Sequence, residues 1–260
     1  MSDVQEPSLK VTNNGHIAIV TLTRPPHNHV SETSLAELAD ALDAIGEDAN
    51  NRAIVLRSEG KSFCAGADFA GGRKRVAADD KGLNPIYHQA ARLFAPRLPM
   101  VAAIEGAAIG AGLGLALAAD FRVASDDARF SANFVKLGLS PGFALSRTLP
   151  DVLGLQKARL MLLTGRRIKA EEAFDWGLID ILTRPGAADE QAMSLAAEIA
   201  ANAPLALRVV HRQLRGFEPD TAIETMLGED REQRRLLGTA DFLEGVAAVR
   251  DRRPAEFRGL

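Results

Sequence analysis

Apolar residues follow three different periods along this chain. Residues 16–23, HIAIVTLT, alternate and are rich in β-branched side chains, which predicts a strand. Arg24-Pro25-Pro26 ends it, because proline donates no ladder hydrogen bond. Ser31 suits an N-cap, and Leu35, Leu38, Leu42 and Ile45 then recur at helical spacing, predicting a helix to about Ile45. Residues 52–58, RAIVLRS, predict a second strand. Residues 70–85, AGGRKRVAADDKGLNP, are charged and carry glycines, and read as a loop. A helix is expected over residues 86–98, stopping before Pro99. The apolar run 101–105 predicts a buried strand, followed by a helix beginning at 110–112 and ending near Asp120. Beyond Pro150 the pattern is mainly helical. Segments 154–163, 169–176 (with Gly177 as C-cap), 187–202, 204–216, 219–237 and 241–252 are expected. Strand, helix and strand in succession point to a layered α/β core.

Composition narrows this picture. The chain has 260 residues, 47% hydrophobic and 25% charged, which is ordinary globular usage with length enough for a full core. With 31 basic and 34 acidic residues the net charge is −3, so no nucleic-acid surface is indicated. Cys64 is the only cysteine, which excludes an internal disulfide and a cysteine-based metal site. His16, His27, His29 and His211 show no ligand spacing; His27 and His29 alternate on an extended segment without a third ligand. Residues 100–119 are long enough to span a bilayer, but alanine and glycine dominate them, so a buried strand and helix are expected instead. The polar start MSDVQEPSLK lacks the apolar stretch of a signal peptide, and a cytoplasmic location is expected.

Two segments carry the candidate chemistry. Residues 61–69, KSFCAGADF, and 104–119, IEGAAIGAGLGLALAA, each place small residues after an apolar run. Small residues let a ligand approach the backbone closely. Two free backbone N–H groups from such places can grip one oxygen that gains negative charge, and losing one donor from such a hole costs roughly 3 kcal/mol of transition-state stabilisation. The GAGLG run is no dinucleotide fingerprint, because Leu115 stands where Gly or Ala is required.

These segments, with HIAIVTLTRPPHNHV at 16–30, ARFSANFVKLGLSPGFALSRTLP at 128–150, TGRRIKAEEAFDWGLID at 164–180 and VAAVRDRRPAEFRG at 246–259, resemble the crotonase (enoyl-CoA hydratase/isomerase) superfamily. The resemblance runs in order over nearly the whole chain. It implies an α/β fold, a crotonase-type spiral of β-β-α turns over residues 1–200 with a helical trimerisation region at 201–260. It also implies assembly as a homotrimer or a hexamer of two trimers. Oxyanion donors then fall on the N–H groups of Ala67 and Ala111, the latter where the family commonly shows glycine. The CoA adenine is expected against residues 65–69 (Ala65, Asp68, Phe69) and the Arg24 turn. Lys61 and Arg258 are candidate phosphate partners or solvated surface charge, and Phe257 is expected near the adenine. Phe134, Leu137, Leu139 and Phe143 are expected to line an acyl pocket. No cofactor beyond the CoA moiety of the substrate, and no metal, is implied.

The same comparison exposes a gap. Gly114 and Phe134 stand where a hydratase of the family carries its two glutamates, and Gly142 stands where other members carry an aspartate. Each well-placed acid or base is worth about 100- to 10,000-fold in rate, so ordinary hydratase activity is not expected. Tyr87 and His88, on the helix after the loop, are candidate acid/base groups or a helix-surface pair. Glu105 and Asp68 read as structural, and Cys64 as a buried, inert thiol. Two functions remain open: an enzyme acting on an acyl-CoA through an enolate, of hydratase/isomerase type, or an acyl-CoA-binding protein with little catalysis. A scaffold using only the trimer is a third.

Overall fold

The computed structural model describes residues 8–67, 84–215 and 219–260. Strands β1 (Leu9–Asn14) and β2 (Ile17–Leu22) form an antiparallel hairpin, and helix α1 (Glu32–Glu47) leads to β3 (Ala53–Ser58). Helix α2 (Pro85–Arg92) is followed by β4 (Met100–Ile104), β5 (Ala107–Ile109), α3 (Ala111–Ala118), β6 (Phe121–Ser125) and β7 (Arg129–Ser131). A short 3-10 helix (Asn133–Leu137) precedes α4 (Leu145–Leu153), α5 (Leu155–Thr164), β8 (Arg167–Lys169), α6 (Ala170–Trp176) and β9 (Ile181–Thr183). Helices α7 (Ala188–Ala200), α8 (Pro204–Leu214), α9 (Pro219–Leu236) and α10 (Ala240–Asp251) complete the chain.

The strands make one sheet in the order β1-β2-β3-β4-β6-β9 and a smaller one in the order β5-β7-β8. Two successive turns of the chain, β4-β5-α3 and β6-β7 with the helices after it, each give one strand to the large sheet, the next to the small one, and then a helix. That is the expected spiral of β-β-α turns. The large sheet is parallel from β2 onward and buried on both faces. Ile54, Leu56, Ala102 and Ile104 face the main core, while Ala53, Val55, Val101 and Ala103 face α7. Alanines 188, 192, 196 and 200 form the α7 stripe that meets them.

Ser31 caps α1 as expected, with Ser34 completing a reciprocal capping box. The helix expected over 86–98 ends at Arg92 instead. Pro96 lacks an N–H and disfavours helix at Ala95, so Leu93, Phe94 and Ala95 close with tighter i−3 bonds. Strand β1 had no apolar signal because five of its six residues are exposed. Residues 100–119 form buried β4, β5 and α3, and among the described residues no single helix is long and apolar enough to cross a membrane.

Asp120 ties β4 to α8. Its carboxylate accepts from Met100 N at 2.8 Å and from His211 Nε2 at 3.0 Å, with Arg215 Nε 3.9 Å away. Burial works against the charge, but His211, Arg215 and the Met100 N–H outweigh it and hold the carboxyl below its ordinary value of 3.8. A carboxyl whose folded pKa is lowered adds stability that is complete above the unfolded pKa and lost as pH falls through the folded one. The stability margin of the wild type over Asp120→Asn, read by urea unfolding, is therefore expected to shrink as pH falls below about 4.

Candidate functional site

Residues 62–67 run between two backbone neighbours. Cys64 N donates to Ala107 O in β5, and Ala65 N donates to His27 O on the other side. Val30 N then donates to Gly66 O at 3.0 Å, forming the Val30–Ala67 bridge. The Gly66–Ala67 peptide is trans, so the Ala67 N–H points away from Val30. Ala111 is the first residue of α3, where an N–H has no acceptor within the helix and the helix dipole is positive. Both residues line one cavity of about 320 Å³. Gly112 makes this juxtaposition possible: a Cβ there would lie 2.0 Å from Cys64 O. Two N–H groups on one wall can bind a single oxygen as its charge grows.

Most of the remaining wall is apolar. Phe134, Leu137, Leu139 and Phe143 line it together with Ile86 of α2 and Val249 of α10. Phe143 takes the space beside Gly114, since a Cβ at Gly114 would lie 2.5 Å from Phe143 Cδ1 and 2.8 Å from its Cβ. The ring stands where a side chain at 114 would begin. Phe143 and Ala144 both have left-handed φ, 61° and 58°. Glu229 of α9 holds that turn, accepting from Ala144 N at 2.8 Å, Ser146 N at 2.9 Å and Ser146 Oγ at 2.6 Å. Burial raises the Glu229 pKa against these donors. Gly114→Ala is expected to destabilise by about 1–3 kcal/mol through overpacking, and Phe143→Ala to relieve it, so that the double variant loses less than the sum of the singles in chemical denaturation.

Tyr87 lines the cavity, 5% exposed, and its Oη would lie 2.1 Å from a Cβ at Gly142. The phenol fills the place of any side chain at that position. Tyr87 Oη donates to Gln233 Oε1 at 2.6 Å, and Gln233 Nε2 donates to Ser140 O at 2.9 Å. A carbonyl accepts only, so the second bond fixes the amide orientation and commits the phenol proton to Gln233.

Of the residues singled out in the sequence, Ala65, Ala67, Ala111, Tyr87, Phe134, Leu139 and Phe143 share the cavity wall. His88 does not line it. Asp68 and Phe69, and residues 70–83 of the loop, lie outside the described residues. Arg24 is exposed and donates to Ser31 Oγ at 3.3 Å, and Lys61 is exposed. Phe257 is 45% exposed and Arg258 N donates to Asp241, so both sit on the tail that returns to α10, away from the cavity. Glu105 accepts from Gly186 N and Ala188 N at the start of α7, a structural role. Cys64 is fully buried, and burial pushes its thiol up to about 12. Helices α9 and α10 contribute Gln233 and Val249 to the wall of this same chain.

Sequence reasoning missed His29, Asn133 and Gln233, which also line the cavity. Gln233 lies 146 residues from Tyr87 and carries no local signal. His29 and Tyr87 are the ionisable side chains on the described wall, which holds no carboxylate. Among the described residues no group of three or more His, Cys, Asp or Glu is placed to hold a metal ion.

Known proteins agree with this architecture. The sequence matches the Enoyl-CoA hydratase/isomerase family over residues 12–259. It is 34% identical to the (E)-benzylidenesuccinyl-CoA hydratase of Thauera aromatica, over 97% of this chain and 98% of that one. It is 32% identical to the 1,2-epoxyphenylacetyl-CoA isomerase of Escherichia coli, over 94% and 95%. The crystal structure of an enoyl-CoA hydratase/isomerase from Pseudoalteromonas atlantica superposes with a TM-score of 0.86 at 30% identity, covering 96% of this chain and all of that one. This chain belongs to the enoyl-CoA hydratase/isomerase family of the crotonase superfamily.

Proposed function

We propose that the chain is an enzyme acting on an acyl-CoA thioester by way of an enolate, with the thioester oxygen held by the N–H groups of Ala67 and Ala111. The observation that carries this reading is the meeting of those two residues on one apolar cavity wall. The relatives' names, a hydratase and an isomerase of CoA thioesters, support the substrate class. Hydration needs a base for water and an acid for the α-carbon, and the described wall carries no carboxylate for either. The Phe143 ring beside Gly114 and the side chain of Phe134 favour a dry site. Isomerisation or another enolate chemistry, with Tyr87 or a substrate group moving the proton, fits better than addition of water. The reading needs no cofactor besides the CoA moiety, puts the CoA end toward Arg24, Lys61, Ala65, Asp68 and Phe69 with Phe257 and Arg258 supplied across a subunit boundary, and includes assembly as a trimer or hexamer.

The test uses butyryl-CoA in deuterated buffer. An enolate forms when a basic group at the site takes the α-proton and the C–H electrons are delocalised onto the thioester oxygen; the same group, exchanged with solvent, then returns a deuteron to the carbon. Exchange of α-protons read by NMR, with thermal protection by the same ligand and no loss of crotonyl-CoA absorbance, is the expected result. Absence of both protection and exchange overturns the proposal. Protection without exchange favours the second reading, an acyl-CoA-binding protein with little catalysis, which the carboxylate-free wall also supports.

A further inference from the structure

The Gly66–Ala67 peptide is gripped from behind. Its carbonyl accepts from Val30 N at 3.0 Å and lies 3.2 Å from His29 Nδ1, with the weak Cys64 Sγ donor at 4.0 Å. A carbonyl cannot donate, so the His29 ring carries its proton on Nδ1. The peptide is trans, so the carbonyl and the Ala67 N–H point in opposite directions across one conjugated plane. We infer that His29 is a positioning residue for the oxyanion site: its Nδ1–H fixes and polarises the Gly66–Ala67 peptide and so strengthens the Ala67 N–H as a donor to the thioester oxygen.

Three observations meet here. His29 is half-buried and lines the same cavity as Ala65, Gly66 and Ala67, so its ring is held at the site and not at a distance from it. Gly66 has φ 106°, and a Cβ there would sit 3.0 Å from Ile109 O, so this peptide lies against β5 with no side chain to steady it. Steadying comes instead from donors on its carbonyl, of which His29 supplies the one side-chain nitrogen among the described residues. Hydrogen bonds in a chain polarise one another, by about 10–30% per bond in condensed phase. A donor preorganised before charge develops needs no reorganisation during reaction.

The inference rests on the proposed oxyanion role of Ala67, and its test separates the two. The probe is butyryl-CoA labelled with carbon-13 at the thioester carbonyl, whose stretch is read by difference infrared spectroscopy when bound. In the wild type the band is expected to move to lower frequency. In His29→Phe, which fills the space without a donor, roughly 10–30% of that displacement should be lost when the band is read at saturating butyryl-CoA. His29→Gln and His29→Asn offer an amide N–H and should recover the wild-type band, which a purely space-filling role would not predict. Equal bands in the wild type and in every His29 variant overturn the inference and leave the Ala67 reading standing. Binding to the wild type with no displacement overturns both. Should His29→Phe fail to fold, His29→Ala against His29→Gln makes the same comparison.

Discussion

Replacing Gly112 with alanine is expected to destabilise the protein by about 3 kcal/mol or more, at the upper end of what overpacking costs. The added Cβ would sit 2.0 Å from Cys64 O, 2.7 Å from Cys64 C and 2.9 Å from Cys64 Cβ. Two of those atoms are backbone, in a segment already pinned by Cys64 N to Ala107 O and Ile109 N to Cys64 O. Neither α3 nor the segment can retreat without breaking that pairing, which would separate Ala67 from Ala111. Gly177 is the comparison. It has φ 79° and nothing within 4 Å of an added Cβ, so Gly177→Ala meets only the left-handed penalty, about 1–2 kcal/mol. Urea unfolding of both variants measures the difference. Equal losses would mean that the contact of α3 with Cys64 is looser than the distances state.

Ala111→Pro is expected to keep the fold and slow α-proton exchange by about 100- to 1000-fold, the usual effect of deleting one oxyanion donor. A backbone N–H is normally out of reach of mutagenesis, but this one stands at the first position of a helix, where proline is well tolerated and no intrahelical bond is lost. Proline also restricts the residue before it. Here that residue is Gly110, at φ 55° and ψ −116°, the mirror image of an extended conformation that proline accepts, and a glycine has no Cβ to clash. The measurement pairs NMR exchange of butyryl-CoA with its thermal protection. Ala111→Gly keeps the N–H, so the fall on Ala111→Pro should be far larger than on Ala111→Gly. Equal rates in these two variants would remove Ala111 from the proposed mechanism.

Much of the proposed site was legible because it is built from backbone. In that reading Ala67 and Ala111 contribute N–H groups, and the signal for such a site is a pair of small-residue runs after apolar strands, which a sequence displays directly. That Gly114 and Phe134 carry no carboxylate was equally plain, because an absent side-chain group is visible without a structure. Partners distant in sequence were not visible. Nothing local to Tyr87 announces that Gln233 will take its proton, and nothing local to Gly114 announces that Phe143 will fill its space. His29 was seen only as a histidine without ligand spacing, because its partner is a carbonyl, and every residue has one.

The sequence by itself determined the α/β class, the capped helix after Ser31, the two small-residue runs and the lack of glutamates at 114 and 134. These follow from local periodicity, capping chemistry and the presence or absence of a side chain. Tertiary structure alone decided which wall each residue faces. It put Tyr87 on the cavity and His88 off it, turned Phe143 left-handed under the hold of Glu229, and brought Gln233 and Val249 to the same wall from the last two helices. Those outcomes depend on packing between segments far apart in the chain, where a glycine's missing Cβ matters only through the atom that comes to lie beside it.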